Sequence, residues 1–310
     1  MTQEALDSGW RDRVERTAAP GGVLLCPPRH FAVIDVKNAF MRPHVGAVDR
    51  VRAERQWLEL SRTYAAHGLA VHHLQPAPER EDMVFTANPA LVVPRPGGGA
   101  DVILSRMRHA SRQHEVEHVE RWLRAHGYAP ATLPPGVGHL EGHGDVLVVP
   151  GRHLLLGGHG GRSELPALQA AAALARAALV PLQLVGEPFY HLDTCLAVLD
   201  EESVLLHPPA FRAEALDTLA RLFPRLIEAD ANEAREHLAC NSHALPPRPG
   251  ARTTVLVPAQ AERTAARLAA DDYEPVPVDV SEFHKSGGSI FCLKLELAAD
   301  ETPTGPSTSR

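Results

Sequence analysis

Cys292 lies in a setting that suits a nucleophile. It belongs to the segment KSGGSIFCLKLEL (285–297), where two glycines precede it and a strand pattern follows. Glycines let a substrate approach the backbone closely, and a thiolate can attack an electron-poor carbon. Such a cysteine needs a basic partner and surroundings that lower its pKa. A buried, inert core cysteine needs neither, so this position alone predicts either role.

His191 is a candidate acid or base. In FYHLDTCLAV (189–198) it is followed two residues later by Asp193, a spacing that puts both side chains on one face of a strand. A carboxylate beside an imidazole fixes its tautomer and favours its charged form. The chain has 18 histidines, and most of them are expected to be surface residues. His191 is singled out from them by Asp193, two residues away.

Two acids, Glu141 and Asp145, flank a Gly-His-Gly turn in HLEGHGDVLVV (139–149). They are either solvated turn residues or carboxylates that hold a cationic substrate through charge-assisted hydrogen bonds. His139 and His143 alternate with them, but this spacing matches neither tetrahedral zinc patterns nor an HExxH helix. We therefore expect no metal site.

A fourth segment, EDMVFTANPALVV (81–93), carries Asp82 and Asn88 around a strand-like run.

The elements that must position these residues are short strands alternating with helices. Helical patterns occupy residues 47–67, 111–126, 164–179 and 261–272, and two or more strands with one helix recur about every 50 to 60 residues. This alternation predicts an α/β fold. No loop has the GxGxxG or GxxxxGK[ST] form, so no cofactor is expected. Apolar runs typical of strands occupy residues 23–28, 31–36, 90–94, 101–105, 145–151, 153–158, 203–209, 253–259 and 292–297.

The composition argues against nucleic-acid binding and against a membrane span. The 310 residues carry a formal net charge of −7, which argues against a nucleic-acid partner, and no apolar run is long enough for a membrane span. The four cysteines form no CxxC pair, and the N-terminal residues have no apolar signal region, so a cytoplasmic protein is expected. We predict a flexible leader at 1–20, one catalytic domain at 21–298 and a disordered tail at 299–310.

Five segments resemble, in the same order, the guanidine-modifying enzymes of the amidinotransferase and dimethylargininase superfamily. They are DMVFTAN, EGHGDVLV, GGHGGRSE, FYHLDTC and GGSIFCL, and weaker matches are HPPAF, ACNSHAL and SEFHKSGG. The matches run from about residue 30 to residue 297. The resemblance implies the pentein fold, a five-bladed α/β propeller with pseudo-fivefold symmetry.

The resemblance also implies a mechanism. Cys292 would attack the guanidinium carbon and form a thiouronium-type adduct. His191 would protonate the departing nitrogen and then activate water, and Glu141 would hold the guanidino nitrogens. A thiolate with a general acid suits this chemistry, because a guanidinium is a poor electrophile and its amine leaves only when protonated.

Further residues would bind the rest of the substrate. Asp193 would orient the substrate or His191, and Asp145 would be a second carboxylate in the cleft. Arg162 would bind the amino-acid carboxylate, with Arg106 a second candidate. Asp82 would recognise the α-amino end or shape the pocket.

One position departs from the deiminases and dimethylargininases, which carry an acid where this chain has Asn88. An amide both donates and accepts, so it can bind a ureido oxygen as well as a guanidinium. That feature resembles the arginine dihydrolase branch, which pairs this asparagine with another in an N-terminal turn, matched here by Asn38 in VKNAFM.

These features predict a hydrolase of arginine or a close derivative, with conversion of arginine to ornithine favoured. The alternatives are a dimethylargininase, a citrulline hydrolase, an amidinotransferase and a non-catalytic binding protein of the same fold. The expected partner is the small-molecule substrate, and a homo-oligomer is left open.

Overall fold

The computed structural model describes residues 9–299 of the chain. The strands in this range are β1 (Pro20–Leu25), β2 (Ala70–His73), β3 (Ala90–Pro94), β4 (Ala100–Leu104), β5 (Ala131–Thr132), β6 (Val146–Val148), β7 (Leu154–His159), β8 (Ala178–Gln183), β9 (Leu196–Val198), β10 (Ser203–Leu206), β11 (Arg225–Glu228), β12 (His243–Ala244), β13 (Thr254–Pro258), β14 (Glu274–Val278) and β15 (Leu295–Ala298). The α-helices are α1 (Trp10–Arg13), α2 (Arg50–Ala66), α3 (Ala110–Ala125), α4 (Gly142–Asp145), α5 (Leu165–Ala175), α6 (Ala213–Leu222), α7 (Ala231–Glu236), α8 (Glu262–Ala270) and α9 (Ser281–His284).

The strands form five three-stranded sheets that repeat one pattern. The sheets are β3-β4-β5, β6-β7-β8, β9-β10-β11, β12-β13-β14 and β15-β1-β2. In each, the first two strands are antiparallel and the last two are parallel, with an α-helix in the parallel connection. A parallel pair needs a crossover of this kind, which explains the alternation of strands and helices in the sequence.

The last sheet joins the two ends of the described chain. β15 pairs antiparallel with β1, for example Leu295 with Leu24, and β1 pairs parallel with β2. Both central side chains are fully buried, so apolar packing supports the pairing. This sheet places Cys292 three residues before the first residue of β15.

Each sheet has a short turn before its first strand that contains a buried polar or cysteine side chain. These turns hold Asn88, Asp145, Asp193, Asn241 and Cys292. A cycle of five hydrogen bonds connects them, each turn bonding to the next. The bonds are His143 N–H to Ala87 O (2.8 Å), Leu192 N–H to Asp145 Oδ1 (3.2 Å), Asn241 Nδ2–H to Asp193 O (3.0 Å), Phe291 N–H to Asn241 O (3.2 Å) and Ala87 N–H to Cys292 O (3.2 Å).

The N-terminal segment differs from the expected flexible leader. Residues 1–8 lie outside the described residues, but Trp10 is buried in the core and its indole N–H donates to Leu222 O at 3.2 Å. A buried aromatic side chain with its polar atom satisfied fixes a segment that sequence polarity alone marks as loose. Of the expected tail at 299–310, only Ala299 is described. None of the helices between residues 9 and 299 is long and apolar enough to cross a membrane.

Candidate active site

A small cavity contains six of the predicted residues. Its lining includes Asn38, Asp82, Asn88, Arg162, His191 and Cys292. The volume that the centre of a water molecule can occupy in this cavity is about 20 Å³, enough for about one water. A second cavity of about 420 Å³ adjoins it and shares Lys37, Asn38, Arg162 and Tyr190. The two cavities therefore share part of their lining.

Cys292 lies between an acid and an amide. Its Sγ is 3.1 Å from Asp193 Oδ2 and 3.2 Å from Asn241 Nδ2. Burial raises the pKa of the Cys292 thiol well above its usual value, and the charge and hydrogen bond of Asp193 raise it further. The side chains around Cys292 therefore do not by themselves provide the lowered pKa expected for a nucleophile.

Gly288, the second of the two glycines before Cys292, makes room for an aromatic ring. A Cβ on Gly288 would lie 2.2 Å from Phe85 Cε1, so only glycine admits the ring there. Phe85 also lines the cavity. The close approach expected for a substrate is made here by this side chain.

His191 is paired with Glu141 rather than with Asp193. Its Nε2 lies 2.8 Å from Glu141 Oε2 and 4.0 Å from Asp145 Oδ2. His191 precedes a 3₁₀ turn at Leu192–Thr194, not a strand, so Asp193 points to Cys292. The predicted pairing of His191 with Asp193 is therefore wrong, and the carboxylate that pairs with His191 comes from another turn.

Glu141 is a fully buried carboxylate held by cations and donors. Burial alone would raise its pKa, but the hydrogen bond and charge of His191, followed by the charge of Arg162, hold the pKa well below its usual value. Arg162 Nη1 lies 3.4 Å from Glu141 Oε2, and the Arg108 backbone N–H donates to Oε1 at 2.9 Å. Glu141 therefore stays ionised and can stabilise a protonated His191.

Asp145 supports the backbone instead of lining the cavity. Its carboxylate accepts from Ser163 Oγ (2.6 Å) and from the Leu192 N–H (3.2 Å). Burial raises the pKa of Asp145 to about 6, and that of Asp193 to about 7. Asp145 was predicted to contact substrate, and both its oxygens are instead used within the protein.

Asn88 presents an unused donor. Its Oδ1 accepts from Arg112 Nη1 at 3.0 Å, which turns its Nδ2 the other way. That Nδ2 is buried without a hydrogen-bond partner. A Cβ on Gly144 would come within 2.3 Å of it and within 3.1 Å of His191 Nδ1, so Nδ2 faces the His191 side of the site.

The end of the cavity near Asp82 is occupied by a lysine. Lys37 Nζ lies 3.1 Å from Asp82 Oδ2 and 2.9 Å from Glu81 Oε1, and it also contacts Asp35. Its carbonyl accepts from Arg162 Nη2 at 2.7 Å. Asp82, predicted to bind an α-amino group, is thus already paired with an ammonium of the protein.

Asn38 and Arg106 have structural contacts. Asn38 donates to Ser286 O at 2.9 Å and accepts from the Met41 N–H, which fixes its turn beside the cavity. Arg106 does not line the cavity, because its guanidinium donates to the carbonyls of Gly138, Leu133 and Pro134. The prediction that Arg106 binds a substrate carboxylate does not fit this placement.

Three residues of the site were not predicted from the sequence. Arg112 forms two hydrogen bonds to Glu115 and one to Asn88, Lys37 neutralises Asp82, and Asn241 touches the sulfur. Lys37 and Asn241 lie in segments already recognised, VKNAFM and ACNSHAL, whereas the spacing of Arg112 and Glu115 matches an ordinary helical ion pair. Within residues 9–299, no group of three or more His, Cys, Asp or Glu side chains is arranged to hold a metal ion.

Comparisons with known proteins identify the family. No family model matches the chain. The N(G),N(G)-dimethylarginine dimethylaminohydrolase of Mycobacterium tuberculosis is 35% identical over 285 residues, which cover 91% of this chain and 87% of that protein. The chain belongs to the dimethylargininase and arginine dihydrolase branch of the guanidine-modifying enzymes. It is a hydrolase of guanidino C–N bonds.

The arginine dihydrolase side of this branch is represented as well. The bifunctional arginine dihydrolase/ornithine cyclodeaminase ArgZ of Synechocystis is 32% identical over 285 residues, but those cover only 38% of that protein. The crystal structure of the N-terminal domain of ArgZ, a cysteine-to-serine mutant bound to substrate, matches 88% of this chain and 97% of that domain. Its TM-score is 0.80 at 32% identity. The mixed α/β fold of the chain is that of this dimethylargininase and dihydrolase group.

Proposed function

We propose that this dimethylargininase-family hydrolase converts arginine to ornithine, releasing ammonia and carbon dioxide, through a covalent adduct on Cys292. The observation that carries the proposal is the buried, unpartnered Nδ2 of Asn88 beside the cavity. A guanidinium offers only N–H donors and has no use for a further donor, whereas the oxygen of a ureido group accepts one. The site therefore contains a group suited to a citrulline-like intermediate.

In the first half of the reaction, Cys292 Sγ bonds to the guanidinium carbon. Asp193 Oδ2, at 3.1 Å, is the acceptor for the thiol proton. His191, protonated and held by Glu141, gives its proton to the leaving nitrogen, which departs as ammonia. Water, deprotonated by His191, then attacks the adduct carbon, the C–S bond breaks, and citrulline forms. A second hydrolysis at the ureido carbon yields ornithine, ammonia and carbon dioxide.

The positive charge of the substrate also favours ionisation of the Cys292 thiol. Burial and the Asp193 charge raise the pKa of Cys292. A guanidinium placed against Asp193 and Glu141 supplies the missing positive charge, and an opposite charge within about 4–6 Å lowers a thiol pKa by about 1–3 units. Arginine thus assists the ionisation of the nucleophile that attacks it.

A dimethylargininase is the second candidate. It is favoured by the 35% identity to the mycobacterial dimethylaminohydrolase over most of both chains. Its product would be citrulline, and the Asn88 amide would then contact a guanidinium or a product oxygen without a second hydrolysis.

The experiment that separates these functions is incubation of the purified protein with arginine, dimethylarginine and citrulline, with products identified by mass. Ornithine from both arginine and citrulline supports the dihydrolase. Citrulline as the end product of dimethylarginine, with no turnover of citrulline, supports the dimethylargininase. The Cys292→Ser variant serves as the control for contaminating activity.

We further propose that the five sheets close into a five-bladed pentein propeller, in one catalytic domain. The cycle of hydrogen bonds through the five turns and the pairing of β15 with β1 support this arrangement. The four cysteines are free thiols, which supports a reducing compartment such as the cytoplasm.

A further inference from the structure

Asn241 makes three contacts around the sulfur of Cys292. Its Oδ1 accepts from the Cys292 backbone N–H at 3.1 Å, and its Nδ2 donates to Cys292 Sγ at 3.2 Å and to Asp193 O at 3.0 Å. The side chain is fully buried, so no water competes for these bonds. Asn241 therefore touches both the nucleophile and the residue that accepts its proton.

These contacts fix the orientation of the amide. A backbone N–H needs an acceptor, so the oxygen of Asn241 must face Cys292 N. A carbonyl needs a donor, so the nitrogen must face Asp193 O, and its second N–H then reaches the sulfur. In a flipped amide, the Nδ2 donor would face the Cys292 N–H and the Oδ1 acceptor would face Asp193 O. These two backbone groups therefore determine that an N–H of Asn241 faces the sulfur.

The hydrogen bond from Asn241 Nδ2 stabilises the sulfur most strongly when the sulfur is ionised. Asp193 is neutral once it has accepted the thiol proton and so brings no positive charge to the thiolate, and the arginines of the site are paired elsewhere, Arg112 with Glu115 and Arg162 with Glu141. Among the side chains in contact with Sγ in the described chain, Asn241 is the one that offers an N–H. The backbone N–H of Ser289 is a further donor to the sulfur, and the buried Lys294 interacts with Cys292 through its charge. Hydrogen bonds to an ionised acceptor are about twice as strong as those between neutral groups.

We propose that Asn241 is a catalytic residue of this site, which stabilises the Cys292 thiolate through its Nδ2–H while its Oδ1 holds the Cys292 backbone in place. The proposal deepens the role of Cys292 in the proposed function. It concerns the sulfur and not the identity of the substrate. Its test therefore needs no substrate.

The test compares Asn241→Asp and Asn241→Ala with wild type and with Ser242→Ala. Asn241→Asp keeps an acceptor for the Cys292 N–H and replaces the donor by an oxygen that faces the sulfur. Ser242 is the control, because it lies in the same buried turn but bonds only to Ala239 O (2.7 Å). The readout is the rate of Cys292 alkylation by iodoacetamide at pH 8, followed by mass on the peptide that contains Cys292. Below the thiol pKa this rate is proportional to the thiolate fraction.

We expect both Asn241 variants to be alkylated about ten- to a hundredfold more slowly than wild type, equivalent to a rise of about one to two pKa units. Ser242→Ala should be within about threefold of wild type. The kcat for whichever guanidino compound the enzyme hydrolyses should fall in parallel, with a smaller change in KM.

Alkylation of folded Asn241→Asp at the wild-type rate would overturn the proposal, as would equal slowing in Ser242→Ala. If Asn241→Asp does not fold, as judged by thermal unfolding, Asn241→Ala decides by the same criterion. An enzyme inactive on all guanidino compounds, but with the predicted alkylation rates, would refute the proposed function and leave the role of Asn241 intact.

Discussion

Replacing Asn88 by aspartate should stop the reaction at citrulline. In the wild type, Oδ1 of Asn88 is bonded to Arg112 and Nδ2 has no partner. The aspartate can keep the contact with Arg112 through one oxygen and turns the other toward the cavity. That oxygen accepts from a guanidinium but has no proton to give to a ureido oxygen.

The size of the effect follows from one buried hydrogen bond. An acceptor left unpaired in a buried site costs about 1–3 kcal/mol, or about 5- to 150-fold in rate. The guanidinium step does not lose this bond, so arginine consumption should change much less than citrulline consumption. Asn88→Asp should therefore accumulate citrulline where the wild type accumulates ornithine.

The assay is product analysis by mass after complete consumption of arginine, together with kcat/KM for citrulline. Ser105→Ala is the matched control, because Ser105 bonds to the backbone carbonyl of Asn88 and not to its amide. If Asn88→Asp converts citrulline within about threefold of the wild-type rate, the amide donor has no part in the second step. If the wild type leaves citrulline untouched, the dihydrolase proposal itself is refuted.

Three further substitutions test the assigned roles. Cys292→Ser should abolish turnover while thermal unfolding stays near wild type, because a hydroxyl is far less acidic than a thiol. His191→Ala should lower kcat by about 10²- to 10⁴-fold with a smaller change in KM, as expected for a positioned general acid and base, and steady-state kinetics measure both. Lys37→Met leaves Asp82 without its ammonium partner, so KM should fall for arginine relative to Nα-acetylarginine, as measured by competition between the two substrates.

Each of these has an outcome that contradicts it. Turnover by Cys292→Ser above a few per cent of wild type would exclude the sulfur as nucleophile. A His191→Ala variant with unchanged kcat and raised KM would show that the imidazole binds and transfers no proton. An unchanged preference in Lys37→Met would mean that the substrate amine does not approach Asp82.

Several residues of the candidate site could be predicted from the sequence, since the motifs in the family order extend through nearly the whole chain. Cys292 and His191 line one cavity. The resemblance gave Glu141 the guanidino nitrogens of the substrate, and the structure shows its carboxylate in contact with His191. Helices α2, α3 and α8 lie where their periodicity predicted them. The helix predicted over 164–179 ends at Ala175, because Arg176 adopts left-handed backbone torsions and the chain turns into β8.

Pairing between turns could not be predicted, because it depends on which turns the sheets bring together. Local spacing suggested Asp193 as the partner of His191, whereas Glu141, 50 residues earlier, takes that place. Arg106 was chosen by residue type, but its donors are used by nearby carbonyls. Asn241 carried no signal of its own, because a single asparagine before a short strand is common in any turn.

The raised pKa of Cys292 leads to a last prediction, which separates the two hydrolytic steps by pH. The thiolate is the reactive form, so activity should increase as the pH rises toward the pKa of the sulfur in the complex. A bound guanidinium lowers that pKa, whereas a neutral ureido group does not. The increase of kcat with pH should therefore occur at a pH about 1–3 units lower for arginine than for citrulline. The rising limb of kcat/KM should coincide for the two substrates, because it reports the free enzyme. Initial rates from pH 6 to 10 measure both, and coincident kcat profiles would show that substrate charge plays no part in ionising Cys292.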